Sequence, residues 1–402
     1  MLSAARAAYV VGHLDKMGFD ATALPDAERA WVFDLLARTE ELATSTRHNA
    51  HNWEPAFADL DRRDEAHRPV LEERAAAWAE AGLLQARAGA AAGRWPEGKR
   101  FALCLTHDID IVLDYPWLER WRAIRAMGWR RHDKRALFAM SMAKQWAKRM
   151  AAVGRGASTP PLETWMEEEG KHGFKSSYLF MADPKAAPTW EDGYYRYGDR
   201  IDFEGKRRTV GEAMRLIAER GWDVGLHASC EAHVSAELLA AEKAAVEVAS
   251  GVPCTSVRQH HLMFDIRSTP RAQADAGLTA DSTVGSNTET VFRCGTGLPF
   301  PMWDVEADEA LPILQIPLVV QDIALMEAMA GDVDLAVGRC VELMERVARV
   351  GGALTLLWHN HFRPGSPEHR CYAAVLEEAA ARGAWGCSMR DLEARWRGGG
   401  GA

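Results

Sequence analysis

The sequence predicts an α/β protein: a closed or nearly closed barrel over residues 99–395, preceded by a helical region over residues 1–98. Three observations point there. From residue 101 onward, short runs rich in β-branched and aromatic residues alternate with stretches of helical spacing. That alternation implies parallel pairing, because each crossover needs a helix to return the chain. The polar residues able to do chemistry gather at the ends of those runs, where a barrel of parallel strands presents its reactive groups. Nothing before residue 98 shows strand alternation.

Taken in order, segments 4–18, 25–44 and 66–92 carry apolar residues three to four apart, such as Trp31, Leu35 and Leu36, among many alanines. The helical region closes at Gly93-Arg94-Trp95-Pro96-Glu97-Gly98, a proline and glycine break. The expected strands are 101–106, 175–181, 223–227, 255–262, 278–283, 313–319 and 353–359, with helices over 162–172, 209–220, 235–250, 268–276 and 332–350. Residues 111–160 form a long insertion after the first strand. Its basic face between Arg120 and Arg149 sits beside recurring Trp and Met, which reads either as a lid packed on the barrel or as a surface for an anionic glycan or lipid phosphate.

Composition narrows the function. A chain of 402 residues can bury a large core, and a net charge of −9 argues against bulk nucleic-acid binding. The seven cysteines are scattered, odd in number and without a C-x-x-C pair, which reads as a reduced interior. No secretory signal is visible, and no apolar run approaches the ~18 residues of a membrane span. The expected location is the cytoplasm, with peripheral membrane contact through 120–149 as the one route to a bilayer.

Phe101–Asp110, FALCLTHDID, is the most informative stretch. Asp108 and Asp110 are two apart, so on an extended backbone both point to one side. Two carboxylates crowded at a buried strand end need a cation or a bound water, which indicates a metal site or an acid/base pair; capping the next helix is the structural alternative. His227 ends the third strand. If one helical turn starts there, Glu231 lies on the same face and could complete a divalent-metal site, or else belongs to a solvated helix face; His233 is a reserve candidate. Arg258 could pair with Asp108 or Asp110, and His260 and His261 either line the cleft or serve structure. Asp281 could orient a catalytic histidine or cap a helix. Alternation sets Leu357, His359 and His361 on one side, so a histidine general acid beside an apolar wall is credible.

In chain order these pieces resemble the polysaccharide deacetylases of the NodB-homology type, carbohydrate esterase family 4, in the subset whose first motif reads D-x-D. The resemblance spans about residues 99–395 and implies a distorted (β/α)7 barrel that removes acetyl groups from N-acetylated sugars with one divalent metal ion. Zinc is the first expectation, with cobalt, nickel, manganese or iron as alternatives. It implies Asp108 as general base, Asp110 and His227 as metal ligands with Glu231 at the position of the family's second histidine, and Arg258 as the brace of the base. It further implies Asp281 as the residue tuning the catalytic histidine, His359 as general acid, and Leu357 as the lining of the acetyl pocket.

The expected chemistry is metal-assisted hydrolysis of an amide or ester. Asp108 would take a proton from water and His359 would protonate the leaving amine. The rival readings are a degenerate deacetylase-like domain that binds a glycan or partner without turnover, which Glu231 favours, and a hydrolase of a non-sugar amide on the same scaffold.

Overall fold

The computed structural model describes residues 2–44, 65–87, 94–112, 162–183 and 195–398. Nearly all of the basic insertion after the first barrel strand therefore lies outside the described residues.

The N-terminal region is helical, as its spacing predicts, and holds α1 (Ala4–Lys16), α2 (Asp26–Ala37), α3 (Thr39–Thr44) and α4 (Val70–Glu80). The single helix expected over 25–44 breaks at Arg38, whose φ of 55° is left-handed and ends α2. A two-residue antiparallel ladder, β1 (Phe19–Asp20) with β2 (Gln85–Ala86), is the strand content that sequence periodicity does not reveal, being too short for alternation.

The barrel strands are β3 (Phe101–Ile109), β4 (Ser177–Phe180), β7 (Asp223–Ala228), β8 (Ser256–Gln259), β9 (Ala280–Asp281), β11 (Glu309–Gln315), β12 (Val320–Gln321) and β13 (Ala353–Leu357). All neighbours along β11-β9-β8-β7-β4-β3-β13-β12 pair in parallel. The two ends of this sheet are joined by a single run of chain. Leaving β11, Ile316 N–H bonds Asp281 O at 2.7 Å and Leu318 N–H bonds Val284 O at 3.0 Å, on the β9 side. Val319 N–H then bonds Thr355 O on β13 at 3.2 Å. Residues 309–321 thus act as one staple that crosses from one sheet edge to the other and curls the sheet into a distorted barrel. Counted that way the parallel strands among the described residues number seven, matching the seven runs read from the sequence.

Crossover helices follow the expected pattern: α5 (Glu163–Gly170), α6 (Val210–Glu219), α7 (Ala236–Ser250), α8 (Thr269–Asp275), α9 (Asp322–Ala328), α10 (Val333–Arg349), α11 (Pro367–Ala381) and α12 (Met389–Gly398). Their starts are chemically marked. Thr209 and Glu212 form a reciprocal capping box on α6, while Ser235, Asp332 and Ser366 accept backbone N–H bonds at the starts of α7, α10 and α11. Helices α9, α11 and α12 were not expected from the sequence. Nor were the hairpins β5 (Arg200–Phe203) with β6 (Lys206–Thr209) and β10 (Phe300–Asp304) with β11, or β14 (Ala384–Cys387) alongside the first half of β3.

Alternation along β3 sorts its residues by face. His107 points outward, where Nδ1 donates to Trp358 O at 2.7 Å and Nε2 meets Glu169 of α5 at 2.7 Å. Glu169 also accepts from Ser176, Trp222 and Tyr372, so every lone pair of a fully buried carboxylate is used. Thr106 and Asp108 point inward. On β7 the inward face runs Asp223, Gly225, His227. A Cβ on Gly225 would lie 2.5 Å from Leu179 Cδ2 and 2.8 Å from Ser256 O, so the barrel is filled below the histidine and glycine is required there.

The N-terminal helices pack on the β10–β11 side. Tyr9 donates to Pro301 O at 2.6 Å, and the buried Glu41 carboxylate lies between Arg38 and Arg293, with Arg293 Nη2 3.0 Å from Oε2. Arg293 in turn donates to Gly285 O at 2.9 Å, tying the helices to the loop that follows β9.

Candidate metal centre and active site

Four barrel strands deliver side chains to one end. Asp108 and Asp110 come from the end of β3, His227 from β7, Arg258 from β8 and His260 from the turn after it. Leu357 and His359 come from β13. Every residue of these four strands is buried, so burial fixes the backbone and the polar groups are presented at its rim.

Asp110 is the hub. Its Oδ1 lies 3.2 Å from His227 Nε2 and 3.9 Å from His260 Nε2, and its Oδ2 lies 3.7 Å from His359 Nε2. Two ligand atoms about 2.1 Å from one tetrahedral ion are about 3.4 Å apart, so these separations are those of a metal-ligand set. The ring of His227 settles its own tautomer: Nδ1 is 3.0 Å from the carbonyl of Arg258, which can only accept, so Nδ1 carries a hydrogen. That leaves Nε2 aimed at a carboxylate oxygen. Neither Asp110 Oδ1 nor His227 Nε2 has a hydrogen-bond partner of proper geometry, although both are buried. Two acceptors facing each other in a buried gap require a cation between them.

In the metal-free protein a proton on His227 Nε2 serves as that cation at pH values below the raised His227 pKa. Burial alone would lower the pKa of His227, but Asp108 and Asp110 raise it above its usual value. Burial alone would raise Asp110, but His227, His260 and His359 hold it well below the ordinary carboxylate range. Asp110, His227 and His260 form a three-residue group with its ligand atoms within 4.8 Å of one another. One carboxylate and two imidazoles fit zinc, cobalt, nickel or iron.

Glu231 does not join this group. The expectation rested on an α-helical turn beginning at His227. Instead β7 continues to Ala228, and Cys230–Val234 is a 3-10 turn in which Glu231 is exposed. Ser229 fixes that course by bonding Glu242 through both its N–H and its hydroxyl. The third donor is His260, which the sequence reading assigned to the cleft lining. His233 is occupied on Cys230 O at 2.7 Å.

Arg258 is fully buried and spends its guanidinium on three partners: Nη1 on Asp108 Oδ1 at 2.9 Å and Thr106 Oγ1 at 2.8 Å, Nε on Ser282 O at 2.7 Å, and Nη2 on Ser282 Oγ at 2.9 Å. The expected pairing is with Asp108, not Asp110. Asp108 keeps Oδ2 on the ligand side, 3.8 Å from His227 Nε2.

The carboxylate bonded to His359 is Asp322, not Asp281. Asp322 Oδ1 lies 2.8 Å from His359 Nδ1 and Oδ2 accepts the His359 backbone N–H at 2.5 Å. Asp281 instead accepts from Gln273 and from Thr283 N–H and hydroxyl, the turn-forming alternative for an aspartate at a strand end. Thr283 Oγ1 accepts the Gln259 N–H at 3.0 Å, so Asp281 holds the end of β8 rather than a catalytic ring. Burial alone would lower the His359 pKa, but Asp322 raises it to about 10. Asp322 escaped the sequence reading because β12 has only two residues. Its signal was the buried run Val319-Val-Gln-Asp322, a strand-end carboxylate like the others.

Leu357 is buried with Leu262 and Leu318 in a small apolar cluster separate from the main core. His261 is exposed, and its backbone and that of Leu262 are both left-handed, with φ of 56° and 55°. Consecutive non-glycine residues in that region are costly and mark a held turn. Asn287 pins it by donating to His261 O at 3.0 Å.

No protein-family model matches the sequence, and no curated protein matches it. Solved structures do. A protein of Mycobacterium smegmatis that bears the description "putative polysaccharide deacetylase" matches at 17% identity and a TM-score of 0.46, over 76% of this chain and 92% of that one. A PuuE allantoinase matches at 11% and 0.48, over 76% and 93%. A probable polysaccharide deacetylase of Pseudomonas aeruginosa PAO1 matches at 12% and 0.46, also over 76% and 93%. Among the described residues, no helix is long and apolar enough to cross a membrane.

Proposed function

We propose that this chain is a metal-dependent hydrolase of carbon–nitrogen bonds that removes an acetyl group from an N-acetylated sugar or glycan. The observation that carries the reading is the buried gap between Asp110 Oδ1 and His227 Nε2, which demands a cation and has His260 as a third donor. The motif resemblance supplies the substrate class.

Asp110, His227 and His260 would hold a divalent ion, which when bound would supply Lewis acidity toward a water and an acyl oxygen. Asp108 is the general base. Arg258 fixes its Oδ1, and the remaining oxygen is free to accept a proton from water on the ligand side. His359 is the general acid. Its Nδ1 donates to Asp322, so Nε2–H is the proton delivered to a leaving amine, and the carboxylate keeps the ring charged until that step. The His359 ring meets Asp110 through Oδ2, whereas His227 meets it through Oδ1 and lies next to Asp108, so base and acid both border the ligand set. The Leu262, Leu318 and Leu357 cluster offers an apolar contact for a methyl group.

Metal analysis of the purified full-length chain, followed by acetate release from N-acetylglucosamine oligomers, tests the reading. Bound metal with release that disappears in Asp110→Asn supports it. Full activity in Asp110→Asn or in Asp108→Asn overturns it.

A further inference from the structure

Next to the Asp110 group lies a second set of donors, two of which, Cys230 and His261, take no part in the reaction. Cys230 Sγ is 3.7 Å from His260 Nδ1, and Cys230, His260 and His261 form a group with one ligand atom each, all within 4.8 Å of one another. A tetrahedral ion with a sulfur about 2.3 Å away and a nitrogen about 2.05 Å away sets those two atoms about 3.6 Å apart. The observed spacing is that of a site.

The two groups share one ring. His260 turns Nε2 toward Asp110 at 3.9 Å and Nδ1 toward Cys230. His261 stacks on it with centroids 4.1 Å apart, held there by the left-handed backbone at 261. Cys230 is buried and His261 is exposed, so an ion can enter from solvent over His261 and meet the thiolate at the bottom. A thiolate with two imidazoles is a softer set than one carboxylate with two imidazoles, and it selects borderline ions such as zinc or cobalt over magnesium or manganese.

We propose that Cys230, His260 and His261 bind a second cation, zinc or cobalt, and that His260 bridges it to the first as an imidazolate. The inference rests on the reading that Asp110, His227 and His260 bind the first cation. On binding, the Cys230 thiol and the bridging His260 nitrogen each lose a proton to solvent, so the thiolate, imidazolate and Asp110 carboxylate offset most of the added positive charge.

Cobalt(II) titrated into the metal-free full-length chain tests this, because thiolate ligation gives a near-ultraviolet charge-transfer band that carboxylate and imidazole ligation lack. Among the described residues no other cysteine belongs to such a group, which ties the band to Cys230. The expected result is two equivalents bound with the band present. Cys230→Ser then binds one equivalent without the band, and Asp110→Asn retains the band. His261→Gln, at an exposed position that cannot upset the core, weakens the band-forming equivalent by at least roughly tenfold, since losing even an outer-shell partner costs that much. One equivalent bound with no band overturns this inference and leaves the first site standing. A band that vanishes in Asp110→Asn overturns the two-site arrangement. No cobalt bound at all overturns the first site, and this inference with it.

Discussion

Asp322 grips His359 twice, accepting the ring Nδ1–H at 2.8 Å and the backbone N–H at 2.5 Å from the start of a helix that follows the barrel staple. One carboxylate therefore sets both the position and the charge of the ring. Asp322→Asn keeps the shape and removes the charge. The His359 pKa, about 10 in the metal-free protein, is expected to fall in that variant, because burial is then opposed only by the weaker pull of Asp110 and Asp108. Nuclear magnetic resonance of the histidine ring protons measures it. At pH 8 the variant should lose roughly 10²- to 10⁴-fold in turnover, the usual size of a general-acid contribution. Because the folded pKa is raised, the pair's contribution to stability is fully present below about pH 6.5 and is lost as pH rises through about 10. Asp322→Asn should flatten that alkaline loss in thermal unfolding curves.

Metal retention separates His260 from Glu231. His260→Gln removes one of three donors around the buried gap and should abolish retention after dialysis, whereas Glu231→Gln, on an exposed 3-10 turn, should leave metal content unchanged. The proton that fills the gap in the metal-free protein must leave when an ion enters. Calorimetric titration in buffers of different ionisation enthalpy should therefore record at least one proton released per ion at pH 6, and less in His227→Gln.

The buried pair of Arg258 and Asp108 predicts a non-additive pattern. Arg258→Met leaves Asp108 as a buried charge without its partner and should cost about 3–5 kcal/mol in urea unfolding. Adding Asp108→Asn removes that charge, so the double variant should be more stable than Arg258→Met alone. Simple additivity of the two losses would show that the pair is not coupled.

Much of this arrangement was legible before the fold was known, and the gaps have physical causes. Strand ends at Asp108, Asp110, His227 and His359 are readable because each follows an apolar run bounded by polar residues, and Arg258 because it lies in a short run between turn and helix signals. His260 was seen but misassigned. Spacing along the chain from His227 points to Glu231, whereas His260 follows the neighbouring strand, where Arg258 pairs with His227 in parallel register. Glu231 was misplaced because a sequence of this length carries no mark that separates a 3-10 turn from an α-turn. Asp281 and Asp322 were exchanged because both are strand-end aspartates, and only the staple over residues 309–321, which carries Asp322 across to the β13 edge, decides which one meets His359. The hairpins at 200–209 and 300–315 lack an Asn-Gly or Asp-Gly turn, the strongest short-range hairpin signal.

Glu72 gives the last prediction, and it lies away from the site. Its carboxyl is buried between α4 and the loop before β10, with Oε1 accepting from Thr296 Oγ1 at 2.9 Å and Gly297 N–H at 3.1 Å while Oε2 has no partner. Burial raises its pKa to about 7, against the weaker pull of those two bonds. A carboxyl with a raised folded pKa stabilises the fold below its unfolded value of about 4.5 and loses that contribution as pH climbs toward 7. Glu72→Gln keeps the accepting oxygen and carries no charge. It should match the parent protein at pH 5 and exceed it at pH 8 by on the order of 2–3 kcal/mol, the scale of a shift of two or more units. Urea unfolding at the two pH values measures the difference, and equal stabilities at pH 8 would show that the buried carboxyl has found a partner in solution.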